Sequence, residues 1–208
     1  MLMREENIFW QRSDAANFWR TVAPSDHVVQ IYENDAIFLD ALAGFTGGGI
    51  NAGDCVIVIG TKAHLKALED KLRSYGVHVD VLVSENRYIA LDAEETLSRF
   101  MVNEWPDEEL FMQTVSAIMA KAQRNNRHVR AFGEMVALLL AKGQKRATVQ
   151  LEHLWNKFCE HASFCLFCAY PKSAFAQDLN NSMLHICGTH TKMIRGTEES
   201  LKEVYYTC

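Results

Sequence analysis

The chain has 208 residues, of which 49% are hydrophobic and 23% charged, and its formal net charge is −5 at pH 7. This length and composition fit one globular domain with a sizeable core. No cluster of Lys or Arg forms a basic stripe, so we expect neither nucleic acid nor an anionic membrane as a partner. No apolar run is long enough to span a bilayer, and the first residues lead into no secretory signal, which predicts a cytoplasmic protein.

An amphipathic helix is predicted over residues 1–22, ahead of a main domain at 23–208. Its large side chains fall within a broad arc of one helical face, and the helix ends near Pro24. The aromatic members are Phe9, Trp10, Phe18 and Trp19. Such a face serves core packing and an interface equally well, so a homodimer through this helix is one expectation.

Short apolar segments rich in β-forming residues alternate with helical patterns along the main domain. Five of them are clear, and a sixth shows alternating valines at 77–83. The five clear segments are 27–35, 54–61, 87–92, 129–135 and 164–171. The alternation predicts an α/β fold, a three-layer α/β/α sandwich with a mostly parallel central sheet. Glycines 47–49 are expected to end the first helix of the main domain, and residues 176–206 to form one or two closing helices.

The residues after the second strand do not match a phosphate-binding loop. The stretch Ile59-Gly-Thr-Lys-Ala-His64 has one glycine and Lys62 but lacks the pattern G-x-x-x-x-G-K-[ST]. The run of glycines at 47–49 precedes the strand, whereas a phosphate loop follows one. Nucleotide hydrolysis is therefore disfavoured, and Thr61 is expected to be a helix N-cap.

Cysteine and histidine are frequent in the C-terminal third. Cys165 and Cys168 have zinc-like spacing, but residues three apart on a strand point to opposite faces, so this pair is not expected to chelate one ion. Cys187 and His190 share a face if their segment is helical. Packed thiols and surface histidines are the favoured interpretation and a structural metal is the minor one, so no metal or cofactor is predicted.

Polar and aromatic residues at the strand ends carry the stronger functional signal. The expected sheet brings Tyr32, Thr61, Glu134 and Tyr170 toward the rim where parallel sheets bind ligands. An aromatic cleft with few polar groups suits a small organic ligand. A purely structural role, such as a pair between Arg130 and Glu134, explains these residues equally well. The sequence shows no Ser–His–Asp pattern and no nucleophile elbow, so no enzymatic activity is expected.

Six motifs together resemble the MEDS family, the methanogen/methylotroph sensory domain. They are HVVQIYEND at 27–35, GF-x-x-GG from Gly44, AGDCVIVIGT at 52–61, RYIALDAEETLSRFM at 87–101, RAFGEMV at 130–136 and LFCAYP at 166–171. The resemblance covers about residues 27–190. It implies a divergent relative of the KaiC/RecA-like fold with a degenerate phosphate loop, and a sensor of simple hydrocarbon derivatives such as small methylated or halogenated compounds.

The resemblance implies signal transduction without a catalytic role for any residue. Family members commonly sit beside histidine kinase or helix-turn-helix domains, so we expect relay to a histidine kinase or a transcription regulator. The family's motif positions become ligand-binding candidates here: Tyr32, Glu33, Asp35, Thr61, Arg130, Glu134, Met135 and Tyr170. Two other interpretations stay open: a degenerate nucleotide-binding ATPase, supported only by Lys62, and a ligand-free adaptor that binds a kinase through the Trp10/Trp19 helix.

Overall fold

The structure, a computed structural model, describes residues 18–19, 22–175, 190–196 and 203–206. The strands are β1 (His27–Tyr32), β2 (Cys55–Gly60), β3 (Tyr88–Asp92), β4 (Met101–Val102), β5 (Trp105–Pro106), β6 (Val129–Gly133), β7 (Cys165–Pro171), β8 (Lys192–Gly196) and β9 (Glu203–Tyr206). The α-helices are α1 (Asp35–Ala52), α2 (Lys62–Ser74), α3 (Val79–Ser84), α4 (Ala93–Ser98), α5 (Glu108–Ala122), α6 (Met135–Ala141) and α7 (Lys145–His161). Short 3₁₀ turns lie at Arg124–Asn126 and Lys172–Phe175.

Seven strands form the central sheet in the order β3-β2-β6-β7-β1-β8-β9. The first six run parallel, and β9 pairs with β8 in the antiparallel direction. Helices α1, α2 and α3 pack on one face of the sheet, which we call face A, and α4 to α7 pack on the other, face B. The predicted three-layer α/β/α sandwich with a mostly parallel sheet is confirmed. Strands β4 and β5 form a separate two-stranded hairpin.

Every residue of β1 and of β2 is buried, as expected for inner strands of a parallel sheet covered by helices on both faces. In the register of neighbouring strands, Ile59 lies opposite Gly133 and Tyr32 opposite Pro171. The carboxyl ends of β1, β2, β6 and β7 therefore meet along one edge of the sheet. Among the described residues, no helix combines the length and the apolar composition that crossing a bilayer requires.

The N-terminal aromatics that the structure describes are part of the core. Phe18 and Trp19 are helical and buried, and the Trp19 ring packs 5.3 Å from the Phe45 ring and 5.0 Å from the Phe167 ring. The Arg130 guanidinium donates a hydrogen bond of 2.6 Å to the Trp19 carbonyl. Phe18 and Trp19 thus pack on face A of their own chain, while residues 1–17, 20 and 21 of the predicted N-terminal helix lie outside the described residues.

Three element predictions are wrong. Helix α1 continues through glycines 47–49 and ends only at Gly53, whose φ is +84°. Residues 79–84 form a helix whose Val81 and Val83 are exposed, so the alternating valines do not mark a strand. Residues 192–196 and 203–206 are strands, not closing helices, because they extend the sheet beyond β1.

Candidate functional site

The sheet has a topological switch point between β2 and β6. These strands are neighbours, but β2 leads into α2 on face A and β6 leads into α6 on face B. Chain connections that leave to opposite faces open a crevice at the carboxyl ends of the strands, where open α/β sheets bind their ligands. Thr61 and Glu134 are the first residues after the two strands, so both lie at this crevice.

Glu134 is a buried carboxylate held by two short contacts. Its backbone N–H donates to the Ile59 carbonyl at 2.9 Å, which extends the pairing of β2 and β6 by one residue. Its Oε2 accepts a hydrogen bond of 2.7 Å from the Thr61 N–H, and its Oε1 lies 2.7 Å from Nδ1 of His64. Glu134 is only 6% exposed, so both carboxylate oxygens are oriented by the protein.

His64 links the buried carboxylate to the surface. Its position follows from α2: Thr61 caps this helix, as predicted, by accepting the His64 N–H at 3.3 Å, which places His64 in the first turn. Its Nε2 lies 3.8 Å from Oδ2 of Asp35, and the side chains of His64 and Asp35 are 17% and 73% exposed. The hydrogen bond to Glu134 raises the pKa of His64 against the opposing effect of burial, and the charges of Glu134 and Asp35 raise it further.

Aromatic rings pack beside the contacts that join Glu134, His64 and Asp35. The Tyr32 ring stacks on the Phe38 ring at 4.9 Å, and the Phe38 ring meets the His64 ring at 4.9 Å and the Phe132 ring at 5.5 Å. Burial raises the pKa of Tyr32 well above its usual range, and the negative charges of Glu134 and Asp35 raise it further. The Tyr32 hydroxyl therefore stays protonated at neutral pH and can donate a hydrogen bond.

Gln30 lies two residues before Tyr32 on β1, so the two side chains point to the same face of the sheet. It is fully buried, and within the described part of the chain neither its Oε1 nor its Nε2 has a hydrogen-bond partner. An unsatisfied buried polar group costs about 1–3 kcal/mol, which marks Gln30 as a group that a small bound molecule could satisfy.

Four of the eight predicted site residues gather at the crevice. Tyr32, Asp35, Thr61 and Glu134 form it together with His64 and Phe38. Glu33 lies at the same edge and pairs with Lys172 at 2.8 Å. The candidate N-cap Asp35 is instead the first residue of α1, which is capped by Asn34.

The other three lie elsewhere. Arg130 is near the amino end of β6, where its Nε contacts Oδ2 of Asp54 at 2.7 Å, so the suggested Arg130–Glu134 pair is wrong. Tyr170 packs on face B, where its hydroxyl donates to Glu152, because alternate side chains of β7 point to opposite faces. Met135 is fully buried in the same face-B core.

His64 and Phe38 at the crevice were not predicted from sequence, and neither was the buried amide of Gln30. The spacing could have identified His64, since the residue three positions after an N-cap lies within one helical turn of the strand end. Phe38 is a buried residue of α1, and a position on the packed face of a helix does not by itself indicate a binding role. Gln30 is a polar residue inside an otherwise apolar strand segment. Polar residues are rarely fully buried, so this position was the signal that the sequence offered.

Two open surface depressions lie away from this crevice. Their volumes are about 600 and 340 Å³, and both are lined by Trp105, Lys145 and Arg146 beside the β4–β5 hairpin and the start of α7. None of the crevice residues lines either depression. Their open shape and charged lining differ from an enclosed apolar site for a small organic molecule.

Comparison with known proteins agrees with the fold. The family model of the methanogen/methylotroph, DcmR sensory domain (MEDS) matches residues 26–191. A solved structure from Pyrococcus horikoshii OT3, described as a structural study of Project ID PH0250, has a TM-score of 0.58 and 10% sequence identity over 93% of this chain and 92% of that chain. At that identity the likeness shows the fold alone. A search of curated proteins finds no match.

Proposed function

Because this chain belongs to the MEDS family of sensory domains, we propose that it binds a small organic ligand at the crevice between β2 and β6 and relays binding to a signalling partner. The observation that carries this proposal is the series Glu134–His64–Asp35 beside the stacked rings of Tyr32 and Phe38. It combines an apolar wall with few, firmly oriented polar groups, which is the usual composition of a small-molecule site.

The same geometry disfavours a nucleotide. In phosphate loops the N–H groups at the start of the helix bind the anion. Here the Glu134 carboxylate accepts the Thr61 N–H, so a protein anion already occupies that position at the start of α2. A triphosphate placed there would meet a like charge in a poorly solvated site, which costs several kcal/mol. A weak receptor for a neutral or cationic compound fits this crevice better.

The size of the ligand limits its affinity. The best very small ligands gain about 1.5 kcal/mol per non-hydrogen atom, so a three-atom compound such as dichloromethane reaches about 4.5 kcal/mol. That free energy corresponds to a dissociation constant of roughly 0.5 mM. Binding experiments therefore need probes at millimolar concentrations.

Relay requires a ligand that prefers one of two conformations. Asp35 begins α1 and His64 lies in the first turn of α2, so a molecule between their side chains changes the contact between these helices. A tenfold shift of the equilibrium requires about 1.4 kcal/mol of differential binding. The partner that reads this shift is a histidine kinase or a transcription regulator under our proposal.

Thermal unfolding of the purified chain with dichloromethane, methanol and methylamine tests the site. A probe at about ten times its dissociation constant stabilises the fold by about 1.4 kcal/mol, which raises the midpoint by roughly 3–6 °C. We expect a saturable shift with at least one probe, its loss in Glu134→Gln, and its retention in the control His153→Gln, whose side chain is exposed on α7. Equal shifts in both variants, or no saturable shift of the wild type with any probe, would contradict the proposal.

Gln30→Leu separates a binding role from a structural role. Leucine removes a buried amide that lacks partners within the described part of the chain, so the unliganded variant should be more stable by about 1 kcal/mol. If Gln30 contacts the ligand, the same variant loses probe-induced stabilisation. A variant that is less stable than the wild type and keeps its probe response would show that Gln30 serves the fold.

A further inference from the structure

A second cluster of chemically reactive side chains lies on the other side of the sheet. His27 begins β1, Glu152 lies in α7, Cys168 lies in β7, and His190 precedes β8. All four are buried, with exposures between 0% and 4%. Each offers a metal-ligating atom, and these atoms lie within 4.8 Å of one another. We propose that the four side chains bind one zinc-type transition-metal ion as a closed structural centre.

The distances fit a tetrahedral ion. Zinc lies about 2.0–2.1 Å from imidazole nitrogen and about 2.3 Å from thiolate sulfur, so ligand atoms in a tetrahedral site are roughly 3.3–3.8 Å apart. Nε2 of His27 is 3.6 Å from Sγ of Cys168, and Nε2 of His190 is 3.8 Å from Oε2 of Glu152. Little rearrangement is needed to place one ion between the two pairs.

The ligand types select the class of metal. One thiol, two imidazoles and one carboxylate do not suit Mg²⁺ or Ca²⁺, which prefer oxygen ligands, and they match the mixed sets that bind zinc. Four protein ligands in a buried site leave no open coordination position for water, which is typical of structural centres. On binding, the Cys168 thiol releases its proton to solvent and the thiolate coordinates the ion.

Neighbouring residues orient two of the ligands. Nδ1 of His27 lies 2.9 Å from Oδ1 of Asn156, a contact that assigns the proton to Nδ1 and leaves Nε2 as the metal-facing nitrogen. The Tyr170 hydroxyl donates to Oε1 of Glu152, which leaves Oε2 on the side of His190. Outer contacts of this kind accompany metal sites and tune their affinity.

The ion would fasten the last parallel strand to the rest of the sheet. His190 directly precedes Thr191, whose N–H donates to the His27 carbonyl at 2.8 Å where β8 joins β1. A shared ion would connect this segment to β1, β7 and α7 at once. A metal ion here would differ from the expectation from sequence, which is that no metal is bound. His190 belongs to the Cys187/His190 pair that the sequence suggested, and Cys187 lies outside the described residues.

Cobalt(II) is a suitable probe because a thiolate ligand gives it a near-ultraviolet charge-transfer band and tetrahedral geometry gives it visible bands. We expect the purified full chain to bind one cobalt or zinc ion. Cys168→Ser should lose the charge-transfer band and bind at least about 100-fold more weakly. Cys165→Ser is the matched control, because Cys165 is buried on the same strand but packs on face A, and it should bind like the wild type.

Two results would overturn the metal site. One is a folded wild-type chain that shows no thiolate band with excess cobalt, and the other is equal loss in Cys165→Ser and Cys168→Ser. If Cys168→Ser does not fold, Asn156→Ala decides the question, since it leaves all four ligands in place. We expect about 10–100-fold weaker binding in that variant, and unchanged affinity would contradict a metal site that includes His27.

Discussion

Glu134 joins the two strands at the switch point through its side chain as well as its backbone. Its carboxylate accepts the Thr61 N–H after β2 and contacts the His64 ring in α2, while Glu134 itself directly follows β6. The chemistry of the crevice therefore depends on one negative charge and on the protonation state of the histidine beside it. Sequence could identify Glu134 because it directly follows a strand, but the bond to His64 depends on how α2 packs.

The contact between His64 and Glu134 makes the stability of the fold depend on pH. The hydrogen bond to Glu134 raises the folded-state pKa of His64 above its unfolded value of about 6.5. The stabilisation from protonated His64 is thus fully present below about pH 6.5 and is lost as the pH rises through the folded-state pKa. We expect His64→Gln to lose about 1–2 kcal/mol of unfolding free energy near pH 6, and less at alkaline pH.

Urea unfolding of wild type and variant across this pH range measures the effect. His153→Gln is the control, since His153 is exposed on α7, and its difference from the wild type should stay within about 0.5 kcal/mol at all pH values. A His64→Gln loss that grows toward alkaline pH would show that the histidine is stabilised in its neutral form.

At the scale of elements, Gly48 and Gly49 allow close packing against α1 on face A. A Cβ at Gly48 would lie 2.9 Å from the Trp19 carbonyl oxygen, and one at Gly49 would lie 2.9 Å from Cδ of Arg130. A Cβ at Gly47 would meet nothing within 4 Å. Gly48 and Gly49 thus let Trp19 and Arg130 approach the backbone of α1. From sequence alone, the glycines at 47–49 were expected to end this helix.

The adjacent glycines give a matched pair of variants. Gly47→Ala should stabilise the protein by about 0.5–1 kcal/mol, because alanine favours the helix and has open space. Gly48→Ala should destabilise it by about 1–3 kcal/mol, because the new methyl group meets a backbone oxygen that cannot rotate away. Chemical denaturation of both variants measures the difference, and two changes of the same sign would contradict this account of α1.

Some elements could be predicted from sequence and others could not, for physical reasons. The inner strands β1, β2 and β6 are mostly apolar because both of their faces are covered, so composition largely identifies them. The valines at 77–83 alternate like a strand, yet two of them face solvent in α3, so the periodicity was ambiguous over so short a segment. Strand β8 forms by pairing with β1, and β9 forms by pairing with β8, and local sequence does not encode either pairing.

At the scale of the whole molecule, one sheet serves two candidate sites on its two faces. Strand β1 directs Tyr32 toward the crevice with α1 and α2, and directs His27 toward the proposed metal centre beside α7. Sequence could predict the crevice in part, since parallel strands end at one edge. It could not predict the metal cluster, because its four residues come from four separate elements and meet only in the folded chain.

NMR of the full chain titrated with dichloromethane tests most directly whether the crevice is the ligand site. We predict that ring signals of His64 and Tyr32 shift along one saturable curve at millimolar probe concentration, while the indole signal of Trp105, beside the larger surface depression, stays unchanged. Saturable shifts of Trp105 without any shift of His64 and Tyr32 would contradict the proposed site.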